Sequence, residues 1–150
     1  MNDTKHNTNQ GEEDSRSNEA RLRKLVDILQ YQAESTQDFL DYALDQAIQL
    51  SGSNIGYLYH YIEERREFVL NSWSKEVMPE CAIPHKQKCY ELDKTGIWGE
   101  AVRQRRAIVV NDFASANPLK KGYPSGHVQI ARFMTVPIFK KNSIVGVIGL

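Results

Sequence analysis

Cysteine is scarce in this chain. Cys81 and Cys89 are the only two, too few for a disulfide framework, which points to a reducing, cytoplasmic setting. Net charge is missing as well, because 19 Lys and Arg balance 19 Asp and Glu. A dedicated nucleic-acid binder usually carries a basic excess, so no nucleic-acid partner is expected. Long apolar runs are absent. The longest, Ile144 to Leu150, falls far short of the ~20 residues of a membrane span. The polar N-terminus shows no secretory signal. Signatures of catalysis are missing too: no Walker loop, no nucleophile elbow and no paired-carboxylate site. These absences leave a single domain, since 150 residues bury roughly 70% of their unfolded surface, with no catalytic residue expected in it.

Residues 1–18 are rich in Asn, Thr, Ser, Glu and Asp and hold no large apolar residue besides Met1. Such a segment buries too little to offset its ordering entropy and is expected to be a disordered leader. Leu22, Leu25, Val26 and Leu29 then form a stripe at helical spacing, predicting a helix over Glu19 to Gln32. It serves either as packing for its own domain or as a dimerisation helix, within a segment spanning 19–34. Ser35 and Thr36 are N-cap candidates. They precede a second amphipathic helix through Phe39, Leu40, Ala43, Leu44, Ala47 and Ile48, which Gly52 closes.

Two β-rich runs follow, Asn54 to Ile62 and Glu67 to Trp73, joined by the charged turn Glu63 to Arg66. Tyr57, Tyr59 and Tyr61 share one strand face. A short strand within Gln87 to Leu92, a helix over Ile97 to Gln104 and a strand over Ala107 to Val110 come next. The last stretch is the organising one. Val128 to Phe139 and Ile144 to Leu150 form a hairpin around a four-residue polar turn, Lys140 to Ser143. The second run is almost wholly apolar, as suits a central strand covered on both faces, and Gly146 and Gly149 invite a close neighbour. The order of elements is that of an α+β fold. Leu150 lies inside an apolar run, so the domain is expected to be C-terminally incomplete, with its closing helix still to come.

Several of these runs, taken in order, resemble a GAF domain. They are Gly96-Ile97-Trp98-Gly99, Ile108-Val109-Val110-Asn111-Asp112, Lys121-Gly122-Tyr123-Pro124-Ser125-Gly126-His127, Met134-Thr135-Val136-Pro137-Ile138 and Val145-Gly146-Val147-Ile148-Gly149-Leu150. The resemblance covers 35–150 and is to GAF modules of bacterial and archaeal sensor histidine kinases and diguanylate cyclases. It implies a central antiparallel sheet with helices on one face and a ligand pocket on the other. It also implies a regulatory, small-molecule-sensing role in a two-component type of signalling protein with an output domain in cis, and the stripe over 19–32 adds the expectation of a homodimer. Arg105 and Ala107 stand where the family often has Gly and Pro. The signatures of cyclic-nucleotide and bilin-binding relatives are absent, which argues against those ligands.

On this reading the pocket is lined by Trp73, His85, Trp98, Asp112, Tyr123, His127 and Arg132. Each has a plainer explanation: aromatics at strand ends mostly pack, and a turn histidine mostly bonds backbone. Arg132 enters a predicted strand, where a charge needs a partner, and Asp112 is the candidate. Arg103, Arg105 and Arg106 suit a phosphate, but more simply they complement a helix C-terminus. Cys81, His85 and Cys89 are spaced four apart, yet Pro84 breaks the helix that would align them, so they are weak metal candidates. Haem, held by His85, His127 or a cysteine, has no attachment motif in its favour. Free-methionine-sulfoxide reduction would need the thiols of Cys81 and Cys89. The remaining alternative is a structural or dimerisation module whose pocket is filled by its own side chains.

Overall fold

Helix α1 (Asp3–Gln30) opens the chain. The computed structural model describes residues 3–74, 89–121 and 129–150. The helix begins at Asp3 rather than at Glu19, which corrects both the expected boundary and the leader drawn before it. Its polar first half holds mostly weak helix formers such as Asn, Thr, Asp and Gly, and it extends the amphipathic half because elongating an existing helix needs no new nucleus. Glu19 and Arg23 form an i,i+4 pair at 2.6 Å, with the acid on the favourable N-terminal side.

Helix α2 (Thr36–Ser51) is capped as its sequence dictates. The Ser35 hydroxyl accepts from the Asp38 N–H at 3.1 Å. Gly52 turns left-handed at φ 66°, and Ser53 N–H reaches back to the Ile48 carbonyl at 3.0 Å. Polar contacts tie α1 to α2. Lys24 Nζ donates to Gln46 Oε1 at 2.8 Å and Gln49 Oε1 at 2.9 Å. Tyr31 stacks on Tyr42 with centroids 3.8 Å apart and donates to Asp38 at 3.0 Å.

The sheet consists of β1 (Tyr57–Ile62), β2 (Glu67–Trp73), β3 (Cys89–Glu91), β4 (Ile108–Val110), β5 (Phe133–Lys140) and β6 (Ser143–Gly149). Its order is β3-β2-β1-β6-β5-β4, and every pairing is antiparallel. Strand β6 lies at the centre, as its apolar run predicts. The hairpin before it is tighter than expected: Lys140 pairs with Ser143, and Lys141 takes a positive φ of 56°. The first strand starts at Tyr57, not Asn54, β5 starts at Phe133, not Val128, and the expected helix over 97–104 divides into a 3₁₀ turn (Ile97–Gly99) and the short helix α3 (Glu100–Gln104).

The two faces of the sheet are dressed differently. Helix α2 packs on β1 and β2, where Leu44 and Leu58 are buried. On the other face Tyr59, Tyr61, Phe68, Phe133, Ile144 and Val147 meet Leu92, Ile97, Ala101 and Val102 from the 3₁₀ turns and α3. Arg103 locks that second layer. It donates to the carbonyls of Thr95 at 2.7 Å and Gly96 at 3.2 Å, and to Glu100 at 2.6 Å. Arg105 caps α3 in the left-handed region, φ 51°, a conformation that glycine adopts without strain. It reaches Glu63 at 3.1 Å and lies 5.3 Å from the centre of the Phe139 ring. Arg106 bonds Gln104, so all three arginines have protein partners.

Candidate functional site

The Tyr57/Tyr59/Tyr61 face of β1 forms the floor of an aromatic enclosure. Trp98, delivered by the 3₁₀ turn, is its hub: ring centres lie 5.3 Å away in Tyr59, 4.7 Å in Phe68 and 5.5 Å in Tyr90. Tyr57 meets Trp98 edge-on at 6.3 Å and Trp73 at 6.2 Å. Such tilted and edge-to-face pairs hold one another by quadrupole and dispersion.

Beside these rings lies a cavity of about 190 Å³. Its walls are Tyr57, Tyr59, Trp73, Tyr90, Trp98 and Phe113, with Ile55, Ile97, Ile130, Phe133 and Leu150 filling between them. Three cations complete the lining, Lys120, Lys121 and Arg132. No Asp, Glu, His or Cys lines it among the described residues. Lys120 is partly engaged: its Nζ donates to the Phe113 carbonyl and sits 4.6 Å from the centre of the Phe113 ring. The side chains of Lys121 and Arg132 make no hydrogen bond or ion pair among the described residues.

Two glycines make this arrangement possible. A Cβ on Gly149 would fall 2.1 Å from the Tyr57 ring, so only glycine leaves room for that ring against β6. A Cβ on Gly96 would fall 2.1 Å from the Lys121 carbonyl. The bare backbone there seats Lys121 at the mouth of the cavity. The Tyr57 hydroxyl is buried without a hydrogen-bond partner. Burial pushes this phenol far up, with only a small opposing influence from the nearby Thr135 hydroxyl. That contact falls outside hydrogen-bond geometry; Thr135 Oγ1 instead donates to the Trp98 carbonyl at 3.4 Å. Burial, then Tyr90 and Tyr57, raise Tyr59 likewise. Both phenols therefore stay neutral across the physiological range.

Of the seven residues expected in the pocket, Trp73, Trp98 and Arg132 line it. Asp112 does not. Its carboxylate accepts from the Ala114 N–H at 3.1 Å and the Ser115 N–H at 3.2 Å, closing the loop after β4. Its bond from the Ser115 hydroxyl, before all else, lowers its pKa. Arg132 sits in a bend just before β5, exposed to solvent, so the expected Asp112–Arg132 pair gives way to two separate roles. His85, Tyr123 and His127 lie outside the described residues, as does Cys81. Cys89 is exposed on β3 and does not line the cavity. No group of three or more metal-ligating side chains occurs among the described residues. No helix there is long and apolar enough to cross a membrane.

Sequence reasoning missed Tyr57, Tyr59, Tyr90, Lys120 and Lys121 as lining residues. The signal for the first two was the alternation of tyrosines along β1, which aims one face of a strand at one space.

Comparison with known proteins places this geometry. A family model described as GAF domain matches residues 33–150. A methyl sulfide methyltransferase-associated sensor of Methanosarcina acetivorans is 42% identical over 135 residues, covering 90% of this chain and 14% of that protein. The chain thus spans about a seventh of that relative's length. Among solved structures, the GAF domain of a phosphoenolpyruvate-protein phosphotransferase from Coxiella burnetii aligns with TM-score 0.68 at 13% identity, covering 89% of this chain and 75% of that one. A free methionine-R-sulfoxide reductase from Neisseria meningitidis, in complex with its substrate, aligns with TM-score 0.64 at 16% identity over 89% of this chain and 71% of that one. At such identities the structural matches speak to the fold alone.

Proposed function

Because the chain belongs to the GAF domain family over residues 33–150, we propose that it is the small-molecule-sensing module of a larger signalling protein, without catalysis of its own. The observation that carries this reading is the aromatic cavity, which is open where a purely structural module would fill it with side chains. A ligand there favours one arrangement of the layers packed on the sheet, and differential affinity for the two arrangements biases an output domain in cis. The sensor of Methanosarcina acetivorans supports the signalling context, and the name of that relative makes methyl sulfides the first compounds to assay. A two-component kinase as the output belongs to the same proposal.

Dimerisation is a companion reading with its own support. Leu22, Leu25, Val26 and Leu29 of α1 are 63%, 50%, 47% and 84% exposed, while Lys24 and Tyr31 attach α1 to α2 through polar groups and stacking. The apolar stripe is thus left for a second copy of the helix.

Thermal unfolding against fractions of a small-molecule extract from the native host tests sensing. A ligand at 100 times its Kd adds about 2.7 kcal/mol, which raises the Tm of a domain this size by roughly 5–10 °C. An unchanged Tm across all fractions and methyl sulfides would overturn the sensing reading and leave the dimerisation module.

A further inference from the structure

We propose that the cavity selects an organic anion, a carboxylate or phosphate carried on an aromatic or branched apolar body. This deepens the sensing reading and rests on it. The walls supply ring faces and edges from Tyr59, Trp73 and Trp98, which favour a flat or compact apolar body. Among the described residues the charge lining the cavity is of one sign. Lys120, Lys121 and Arg132 all line the cavity, and no carboxylate does so among the described residues.

The placement of the cations is built into the fold. The Lys121 carbonyl rests on Gly96, where no side chain fits beneath it. Arg132 precedes the first residue of β5 and so stands at a fixed strand end. Neither side chain has a protein partner among the described residues. Glu100 is close enough to feel the charge of Lys121, but only as the last of its influences. Its oxygens are already bonded to Gln104 and Arg103. An anion at the mouth would give Arg132 the paired, fork-shaped acceptor that guanidinium groups favour, with Lys121 as a second point charge. Aromatic walls by themselves also attract cations. The like-charged mouth opposes a cationic ligand, and this distinguishes the site from an aromatic cage for quaternary ammonium groups.

Three probes of one body test the assignment: 3-phenylpropanoate, its neutral amide, and trimethyl(2-phenylethyl)ammonium. The chain's two tryptophans, Trp73 and Trp98, both line the cavity, so intrinsic fluorescence reads its occupancy directly. The carboxylate is expected to bind about fivefold or more tightly than the amide, the ratio of one partly exposed ion pair, with the ammonium weakest. In the double variant Lys121→Gln/Arg132→Gln the carboxylate should fall to the level of the amide, while the amide keeps its affinity and so reports an intact fold. Equal or tighter binding of the amide or the ammonium, or full carboxylate affinity in the double variant, would overturn the anion assignment and leave sensing in place. Failure of all three probes to change the fluorescence would overturn the assignment as well, while the thermal shifts against host extract decide sensing separately.

Discussion

Tyr57 has a ring packed closely against Gly149 and a hydroxyl with no hydrogen-bond partner. A buried donor left unmade costs about 1–3 kcal/mol, whereas removing it while keeping the shape is nearly neutral. Tyr57→Phe is therefore expected to leave the urea midpoint unchanged or to raise stability by up to about 1 kcal/mol. A loss larger than that would mean the hydroxyl is bonded after all. The carboxylates make an opposite, pH-dependent contribution. Asp93 is lowered by its bond from Arg66, Asp112 by its bond from the Ser115 hydroxyl, and Glu100 chiefly by Gln104, with burial opposing and Arg103 adding. A depressed folded pKa gives stability that is fully present above the unfolded value, about pH 4, and is lost as pH falls through the lower folded value. Urea midpoints should hold on the neutral side and drop below about pH 4. Asp112→Asn should flatten part of that drop; an unaltered acid limb would remove Asp112 from the account. At this scale Trp73, Trp98 and Arg132 were legible because aromatics and a lone cation at strand ends and bends have few places to go. Asp112 was misread because a carboxylate after a strand looks the same whether it faces a ligand or closes its own loop.

Among elements, the caps were the clearest text. Ser35 and Gly52 bound α2 as their chemistry requires, and the apolar density of β6 placed it at the sheet centre. Elements held by context were harder to read. The first half of α1 has no apolar stripe, so composition suggested disorder where helix extends from the segment after it. The turn before β6 was read too long because Lys141 adopts a conformation more often given to Gly or Asn. Helix α1 also carries the most exposed apolar stripe of the described chain, and its prediction belongs here. Sedimentation should show a dimer that Leu25→Asp/Leu29→Asp converts to monomer with unchanged helical content, since neither side chain is buried within the protomer. A wild-type chain that stays monomeric at about 100 μM, far above a micromolar Kd, would remove the dimerisation reading.

As a whole the molecule divides its labour between the faces of one sheet. One face carries α2 with α1 behind it; the other carries the 3₁₀ turns, α3 and the aromatic cavity. The fold was legible from the ordered series of short motifs, because each marks a turn or strand whose geometry depends on local residues. The cavity itself was not, since Tyr59, Tyr90 and Lys121 converge only through the pairing of β1 with β2 and β2 with β3, and through the contact of Lys121 with Gly96. The central claim, that this cavity holds a small molecule, is tested most directly by native mass spectrometry of the chain purified from its own host, beside an Ile130→Trp variant that fills the cavity from its edge. The account predicts extra mass on the wild-type chain, released on denaturation and missing from the variant. A bare wild-type chain, or the same extra mass on both, would contradict it.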